Sequence, residues 1–218
     1  MNEEFSAKGL MLNLRYRITV GVVKKIQSGE SEICLWKITE SDDSIDIQVD
    51  EVDSQKPHRT IQYKAGRAAL HALNIPVSDM EKDEFGKPHL PKSKKQISLS
   101  HCKKYAAAIS SNSRVGIDVE EITPRVEKIA KRFVHPTEEA FLPIENRLEA
   151  LYLLWSAKEA LYKLYGKKAV DFRDHMIAKP FELKRNGFFY MEFLKHKPML
   201  YLIQYEIFDN HSLVWVEE

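Results

Sequence analysis

The sequence predicts an α+β protein. Segments rich in β-branched and aromatic residues lie on both sides of two alanine- and leucine-rich segments with helical periodicity, at 58–73 and 145–165. At 218 residues with 44% hydrophobic residues, the chain is long enough for one domain or for two half-sized lobes. Polar residues near Asn112 interrupt the pattern, which predicts an N-terminal lobe at 1–112 and a C-terminal lobe at 113–218.

The charge balance argues against several classes of protein. With 33 basic and 32 acidic residues the net charge is +1, so no overall field favours nucleic acid or an anionic membrane. The two cysteines, Cys34 and Cys102, match no metal-ligand spacing and indicate a reducing compartment. No signal-peptide pattern follows Met1, and no apolar run is long enough to span a bilayer. We expect a cytoplasmic protein that binds neither nucleic acid nor membrane.

In the first half, partial alternation predicts two strands over 10–26 and 33–38. The helix over 58–73 carries three basic residues, at Arg59, Lys64 and Arg67. They could form a cationic edge, although a solvated helix face is the simpler interpretation. Short strands follow over 97–102 and 105–109. Ser100 and His101 are adjacent, but no nucleophile motif surrounds them, so a structural histidine is expected from the residues alone.

The second half is predicted to hold a strand, three helices and four further strands. The first strand lies at 113–120. The helices lie at 125–133, from 136 onward and at 145–165, and the other strands lie at 181–185, 188–193, 199–208 and 213–216. The dipeptide Asn186-Gly187 predicts a hairpin between two of the strands, and Asp209-Asn210 predicts a turn between the last two.

Two acidic residues share one face of the strand over 113–120. Successive side chains of a strand point to opposite faces, so Asp118 and Glu120 stand about 7 Å apart, while Val115, Ile117 and Val119 can pack into a core. Carboxylates this close repel each other unless a cation neutralises them, and oxygen ligands suit Mg²⁺. An edge strand with two solvated acids explains the pattern equally well.

A third acidic residue, Glu159, lies at the edge of the apolar stripe of the helix over 145–165, where a carboxylate needs a partner. Lys163 lies one turn further along. The two residues form either an ordinary i,i+4 pair or, alternatively, a metal ligand and a phosphate contact.

The segment Gly116–Glu120, followed about forty residues later by Trp155–Lys163, closely resembles the paired signature of the Sfp-type 4′-phosphopantetheinyl transferases. The resemblance covers roughly 58–170. It implies two similar α+β lobes related by a pseudo-twofold axis, with coenzyme A in the cleft between them.

The resemblance also implies roles for individual residues. The Mg²⁺ ligands are then Asp118, Glu120 and Glu159. Contacts to coenzyme A come from Arg59, Thr60, Arg67, Lys87, Ser100, His101 and Lys163, with Lys64 as an alternative on the first helix. The family often has serine where this chain has Cys102, so that residue is not a predicted contact.

The implied reaction is attack by a serine hydroxyl of an apo acyl or peptidyl carrier protein on the β-phosphate of coenzyme A, with 3′,5′-ADP leaving from a monomeric enzyme. Such chemistry depends on positioning and charge neutralisation. Asp118, Glu159 and Lys163 are the predicted catalytic residues. Glu159 is the candidate base, directly or through a water, and Glu120 or a metal-bound water are the alternatives.

Two other classes of function fit parts of the pattern. A metal-dependent nuclease would use Asp118 and Glu120 with Lys158 or Lys163, but the neutral charge balance argues against duplex binding. A non-catalytic module that binds coenzyme A or a carrier protein would not need three converging acids.

Overall fold

A computed structural model describes residues 21–39, Ile45, Ile47 and 57–218. The α-helices are Pro57–Ala72 (α1), Arg125–Ile129 (α2), Pro136–Glu139 (α3) and Arg147–Tyr165 (α4). The strands are Val22–Ser28 (β1), Ser31–Lys37 (β2), Glu81–Lys82 (β3), Pro88–His89 (β4), Gln96–His101 (β5), Tyr105–Ser111 (β6), Val115–Glu121 (β7), Met176–Ala178 (β8), Asn186–Phe193 (β9), Met199–Phe208 (β10) and His211–Glu217 (β11). Within this part of the chain, no helix is long and apolar enough to cross a membrane.

The described strands form two larger antiparallel sheets and a small two-stranded one. The first sheet has the order β1-β2-β6-β5, and the second has the order β7-β11-β10-β9-β8. The chain leaves the first sheet at Ser111 and enters the second at Val115. The mixture of helices and antiparallel sheets confirms the predicted α+β class. The division into lobes at 1–112 and 113–218 and the pseudo-twofold axis stay predictions.

The two larger sheets pack face to face, and each is covered on its outer face by one long helix. Side chains of α1 share a buried core with one face of the first sheet, and side chains of α4 share another with the second sheet. A third core lies between the sheets. It includes Ile33, Leu35, Tyr105, Ala107, Ile109, Val115, Ile117, Val119, Leu213 and Trp215.

Strand β7 has the alternation that the sequence predicts. Val115, Ile117 and Val119 are buried in the core between the sheets, so the intervening residues face α4. The closest approach is at Gly116, where a Cβ atom would lie 1.9 Å from the carbonyl oxygen of Ala160. Only glycine allows the helix to lie this close to the strand, and this contact brings one side of α4 beside the acidic face of β7.

Most predicted elements are confirmed within one to four residues at their ends, but the hairpin at Asn186-Gly187 is wrong. These two residues begin β9, and 181–185 is a loop that leads into it. Gly187 pairs with Tyr205 of β10, and a Cβ atom on Gly187 would lie 3.2 Å from the tyrosine hydroxyl oxygen. The glycine therefore makes room for a cross-strand ring rather than for a tight turn. The part of the first predicted strand at 10–20 lies outside the described residues.

The contact between β7 and α4 predicts a strong effect of Gly116→Ala. The added methyl group would meet helix backbone, which cannot rotate away, so we expect the free energy of unfolding to fall by about 3 kcal/mol, the upper end for an overpacked core. Urea denaturation measures this. Gly66→Ala in α1 is the matched control, because its Cβ would make an ordinary 3.6 Å contact with Leu99 and should stabilise the helix by about 0.5–1 kcal/mol. Equal stabilities for Gly116→Ala and wild type would contradict the packing described.

Candidate active site

The acidic face of β7 opens into a pocket of about 420 Å³ between α1, β5, β7 and α4. Its walls contain residues from both sheets and from both long helices. They include Tyr63, Arg67, Lys82, Gly86, Pro88, Ser100, His101, Asp118, Glu120, Glu159 and Lys163. The structure thus brings the three predicted metal ligands together with four of the predicted coenzyme A contacts.

Asp118 is the most buried of the three acids, at 3% exposed. Its Oδ1 accepts hydrogen bonds from the Ser100 hydroxyl and from the Lys163 ammonium, both at 2.8 Å. Its Oδ2 is buried and has no hydrogen-bond partner among the described residues. A buried carboxylate oxygen without a partner is costly. A ligand that enters the pocket can satisfy it.

Lys163 connects α4 to the backbone of β7. Its Nζ donates to the carbonyl oxygen of Ile117 at 2.9 Å in addition to Asp118. The amide of Ile117 donates to the Ser98 hydroxyl on β5 at 3.2 Å. Side chains from a helix and from the other sheet therefore satisfy the peptide groups of β7 at this point, and they fix the position of the Lys163 ammonium.

The two glutamates carry excess negative charge in partly buried positions. Burial, with the nearby charge of Asp118, raises the pKa of Glu120 to about 7, against a smaller opposing effect of a hydrogen bond from Trp155. Burial and the same Asp118 charge raise the pKa of Glu159 to about 7 as well. Burial is the larger cause in both cases, and the charge of Lys163 only partly offsets it.

These residues fit a hard divalent cation in their chemistry. Three carboxylates line one pocket, one of them has an unpaired buried oxygen, and oxygen ligands of this kind suit Mg²⁺. The acids do not form a closed ligand group. In the described part of the chain, no three Asp, Glu, His or Cys side chains are clustered tightly enough to hold a metal ion. Asp118 is instead paired with Lys163 through one of its oxygens.

Of the predicted contacts on α1 and β5, Arg67, Ser100 and His101 line the pocket, whereas Arg59 and Thr60 are not among its lining residues. Arg67 lines the pocket, and its Nη1 donates to the Tyr63 carbonyl oxygen of the same helix at 3.4 Å. Thr60 is 2% exposed, and its hydroxyl has no hydrogen-bond partner among the described residues. Arg59 is exposed. Burial, followed by the charge of Lys163, lowers the pKa of His101. Both causes favour the neutral imidazole over the charged one.

Lys87 lies beside an adjoining pocket of about 230 Å³. Its ammonium donates to the carbonyl oxygen of Leu164 at 2.8 Å, where the C-terminal end of α4 presents unpaired carbonyl groups. Gly86 and Pro88 border both pockets. The structure therefore places the Gly-Lys-Pro turn at the site but directs the lysine to the helix end.

Sequence reasoning missed three residues near the pocket. Tyr63 meets the His101 ring edge-on at 5.5 Å, and the Lys82 ammonium lies 5.7 Å from the centre of the Tyr63 ring. The spacing of Tyr63 and Arg67 by one helical turn was a usable signal. Trp155, which donates to Glu120, was assigned only to the apolar stripe of its helix.

Comparison with known proteins agrees with the motif resemblance. Residues 114–213 match the family model for the 4′-phosphopantetheinyl transferase superfamily. A 4′-phosphopantetheinyl transferase of Bacillus subtilis is 34% identical over 118 residues, 50% of this chain and 53% of that protein. The 4′-phosphopantetheinyl transferase gsp of Aneurinibacillus migulanus is 32% identical over 103 residues, 45% and 43% of the two chains. The chain spans about half the length of these curated relatives, and the predicted resemblance is confirmed.

The raised pKa values predict how the metal-free protein responds to pH. Between the ordinary glutamate pKa of 4.5 and about 7, the folded protein holds protons on Glu120 and Glu159 that the unfolded chain releases. The free energy of unfolding should therefore fall as the pH rises through this range. Urea denaturation in a metal chelator at about pH 5 and about pH 8 measures the slope.

Glu159→Gln should make this slope shallower, because the amide does not titrate. Glu127→Gln, an exposed glutamate on α2, is the control and should keep the wild-type slope. Identical slopes for wild type and Glu159→Gln would show that the carboxyl has no raised pKa.

Proposed function

We propose that this protein is a 4′-phosphopantetheinyl transferase. It transfers the 4′-phosphopantetheine group of coenzyme A to a serine hydroxyl of an apo acyl or peptidyl carrier protein, with Mg²⁺, and releases 3′,5′-ADP. The observation that carries this proposal is the convergence of Asp118, Glu120, Glu159 and Lys163 on one pocket, within a segment that matches the superfamily. The two rival functions leave part of this arrangement unused.

In this proposal Asp118, Glu120 and Glu159 hold the metal ion. The unpaired Oδ2 of Asp118 and the raised pKa of both glutamates support this role, because a cation would relieve both. When bound, Mg²⁺ neutralises charge on the pyrophosphate of coenzyme A and polarises its phosphorus–oxygen bonds.

Lys163 contacts a phosphate oxygen of coenzyme A. Its ammonium has three N–H bonds, and the described contacts with Asp118 and Ile117 occupy two of them. The third can donate a charge-assisted hydrogen bond to the phosphate. Since two contacts already hold the ammonium in place, little reorganisation is needed when the substrate binds.

Proton transfer is assigned to Glu159. In the reaction an oxygen–phosphorus bond forms between the acceptor serine and the β-phosphate, and the bond from the β-phosphorus to the oxygen of the leaving 3′,5′-ADP breaks. The serine proton passes to the base. Glu159 lines the pocket beside Asp118 and is the candidate base, directly or through a water. Its pKa of about 7 is that of the metal-free protein, and a bound cation would lower it. Glu120 has a similar pKa and is the alternative base.

The nucleotide end of coenzyme A is assigned to the wall formed by α1 and β5. Arg67, Ser100 and His101 line the pocket there. The exposed Arg59 and the buried Thr60 hydroxyl, on the same helix as Arg67, are assigned to the same group of contacts. This local concentration of basic side chains suits the 3′-phosphate in a chain whose net charge is only +1.

One experiment separates the three candidate functions. The protein is incubated with coenzyme A, Mg²⁺ and an apo carrier protein, and the carrier is then weighed by mass spectrometry. A transferase adds the mass of one phosphopantetheine group, and it does so only when coenzyme A and Mg²⁺ are both present. A binding module leaves the carrier mass unchanged, and a nuclease instead degrades added DNA.

The metal-ligand assignment predicts the effect of three substitutions. Asp118→Asn, Glu120→Gln and Glu159→Gln should each lower kcat/KM for transfer by about 100-fold or more, as when a group that stabilises transition-state charge is removed. Circular dichroism should show folded variants. Glu121→Gln is the control, because this neighbouring acid is on the other face of β7 and should keep near wild-type turnover. Full activity of all three variants at limiting Mg²⁺ would place the metal elsewhere.

The nucleotide-end assignment predicts a selective loss of affinity in Arg67→Met. Removal of a charge-assisted hydrogen bond should weaken coenzyme A by about 1.5–3 kcal/mol, whereas dephospho-coenzyme A, which lacks the 3′-phosphate, should bind as before. Calorimetric titration with both ligands measures the difference. Lys87→Met in the same titration tells a phosphate ligand from a helix-end contact. Equal losses for the two ligands would remove a residue from this role.

A further inference from the structure

The residue before Glu159 in α4 belongs to a completely buried ion pair. Lys158 and Glu138 are both 0% exposed, and the lysine Nζ lies 2.7 Å from Glu138 Oε2. The ammonium also donates to the carbonyl oxygen of Phe133 at 2.5 Å. The pair lies outside the pocket formed by the three acids, and neither the proposed transfer nor the metal site uses it.

Glu138 is itself held by the backbone of two other elements. Its Oε2 accepts from the amide of His135, the residue before α3, at 2.7 Å. Its Oε1 accepts from the amide of Ala178 in β8 at 2.8 Å. The carboxylate therefore joins α3, α4 and β8 at one point, and its geometry leaves little freedom to the lysine.

Stability alone is a weak reason for such a pair. Two charges lose their hydration when they are buried, and apolar side chains of similar size often give equal or greater stability at such sites. A buried ion pair with four defined hydrogen bonds nevertheless fixes distances and directions more narrowly than apolar packing does.

The position of the pair along α4 determines what it fixes. Successive residues of a helix point about 100° apart, so Lys158 and Glu159 leave α4 in different directions. Lys163 lies four residues after Glu159 and therefore on the same side as that glutamate. On β7, Gly116 sets the distance between the helix and the strand. A fixed Lys158 then sets the rotation of α4 about its own axis.

We propose that Glu138 and Lys158 are positioning residues: their buried ion pair fixes the rotation of α4 and thereby holds Glu159 and Lys163 at Asp118. The consequence for catalysis rests on the proposed transferase function, but the effect of the ion pair on the position of Glu159 and Lys163 does not. The contacts of Lys158 with Phe133 and Glu138 lie on one side of the helix, and the pocket lies on another.

The test is the double variant Glu138→Gln/Lys158→Met, which removes both charges and leaves neither one stranded. The matched control is Glu139→Gln/Arg147→Met. Arg147 and Glu139 also join α3 to α4, at 2.7 Å, but on the surface. Calorimetric titration with Mn²⁺ in the presence of coenzyme A measures the metal site directly, and steady-state transfer measures kcat and KM.

In the double variant we expect the affinity for Mn²⁺ and the kcat to fall by about 10–100-fold, as when residues that orient metal ligands are removed. The KM for coenzyme A should rise by a smaller factor than kcat falls, because the α1 and β5 wall still holds the nucleotide end while the contacts of the metal and Lys163 with the phosphates are weakened. A merely structural pair would lower the folded fraction. That would reduce the apparent kcat and the stoichiometry of Mn²⁺ binding, but it would leave the Mn²⁺ affinity and the KM of the folded molecules unchanged. The control variant should match wild type in all three quantities.

Wild-type Mn²⁺ affinity and kcat in the double variant would overturn the proposal, as would an equal loss in the control. If the double variant does not fold, Glu138→Asp keeps the charge and shortens the side chain, and it should show the same selective loss in part. A wild type that binds Mn²⁺ but transfers nothing overturns the proposed function, and Mn²⁺ affinity in the variants then decides the positioning claim by itself.

Discussion

The site depends on one close contact, between Gly116 of β7 and the backbone of α4. A Cβ atom at this position would overlap the carbonyl oxygen of Ala160, so the strand and the helix can meet only because residue 116 has no side chain. Two residues further along the strand, Asp118 then meets Lys163 at 2.8 Å. The glycine thus allows the helix to bring a carboxylate and an ammonium group to a strand that already carries two acids. A larger residue at this position would prevent this.

The arrangement of charged groups in this pocket destabilises the folded protein, because like charges lie close together in partly buried positions. Three carboxylates lie around one described close ammonium contact, that of Lys163 with Asp118, and burial together with the Asp118 charge raises the pKa of both glutamates to about 7. Natural sites that retain such strain are often functional. The first sheet takes part, because the Ser100 hydroxyl on β5 donates to Asp118 on β7.

The sequence was sufficient for features that depend on local periodicity. Alternation in β7 predicted which side chains face the core, and the apolar stripe predicted α4. Prediction from the sequence failed where the conformation or contacts of a residue depend on a residue far away in the chain. Asn186-Gly187 has the composition of a turn, but Gly187 accommodates Tyr205, eighteen residues away. The contact of the Lys87 ammonium with the end of α4 was likewise not predicted, and a role of Lys87 at a phosphate stays a prediction. Glu138 and Lys158 could not be paired, since their spacing fits no single helix and their burial is a property of the assembled fold.

The same division between local and distant causes explains why the site has two kinds of support. Asp118 and Glu120 share a face by strand geometry alone, and Glu159 and Lys163 share a side of α4 by helical spacing. Neither rule relates the strand to the helix. Gly116 sets the distance between the strand and the helix. The rotation of the helix is fixed by the buried ion pair of Glu138 and Lys158, which also bonds to the backbone of Phe133 and Ala178. Because an error of rotation moves a carboxylate without unfolding the protein, such an anchor matters to the chemistry of the pocket more than to the stability of the fold.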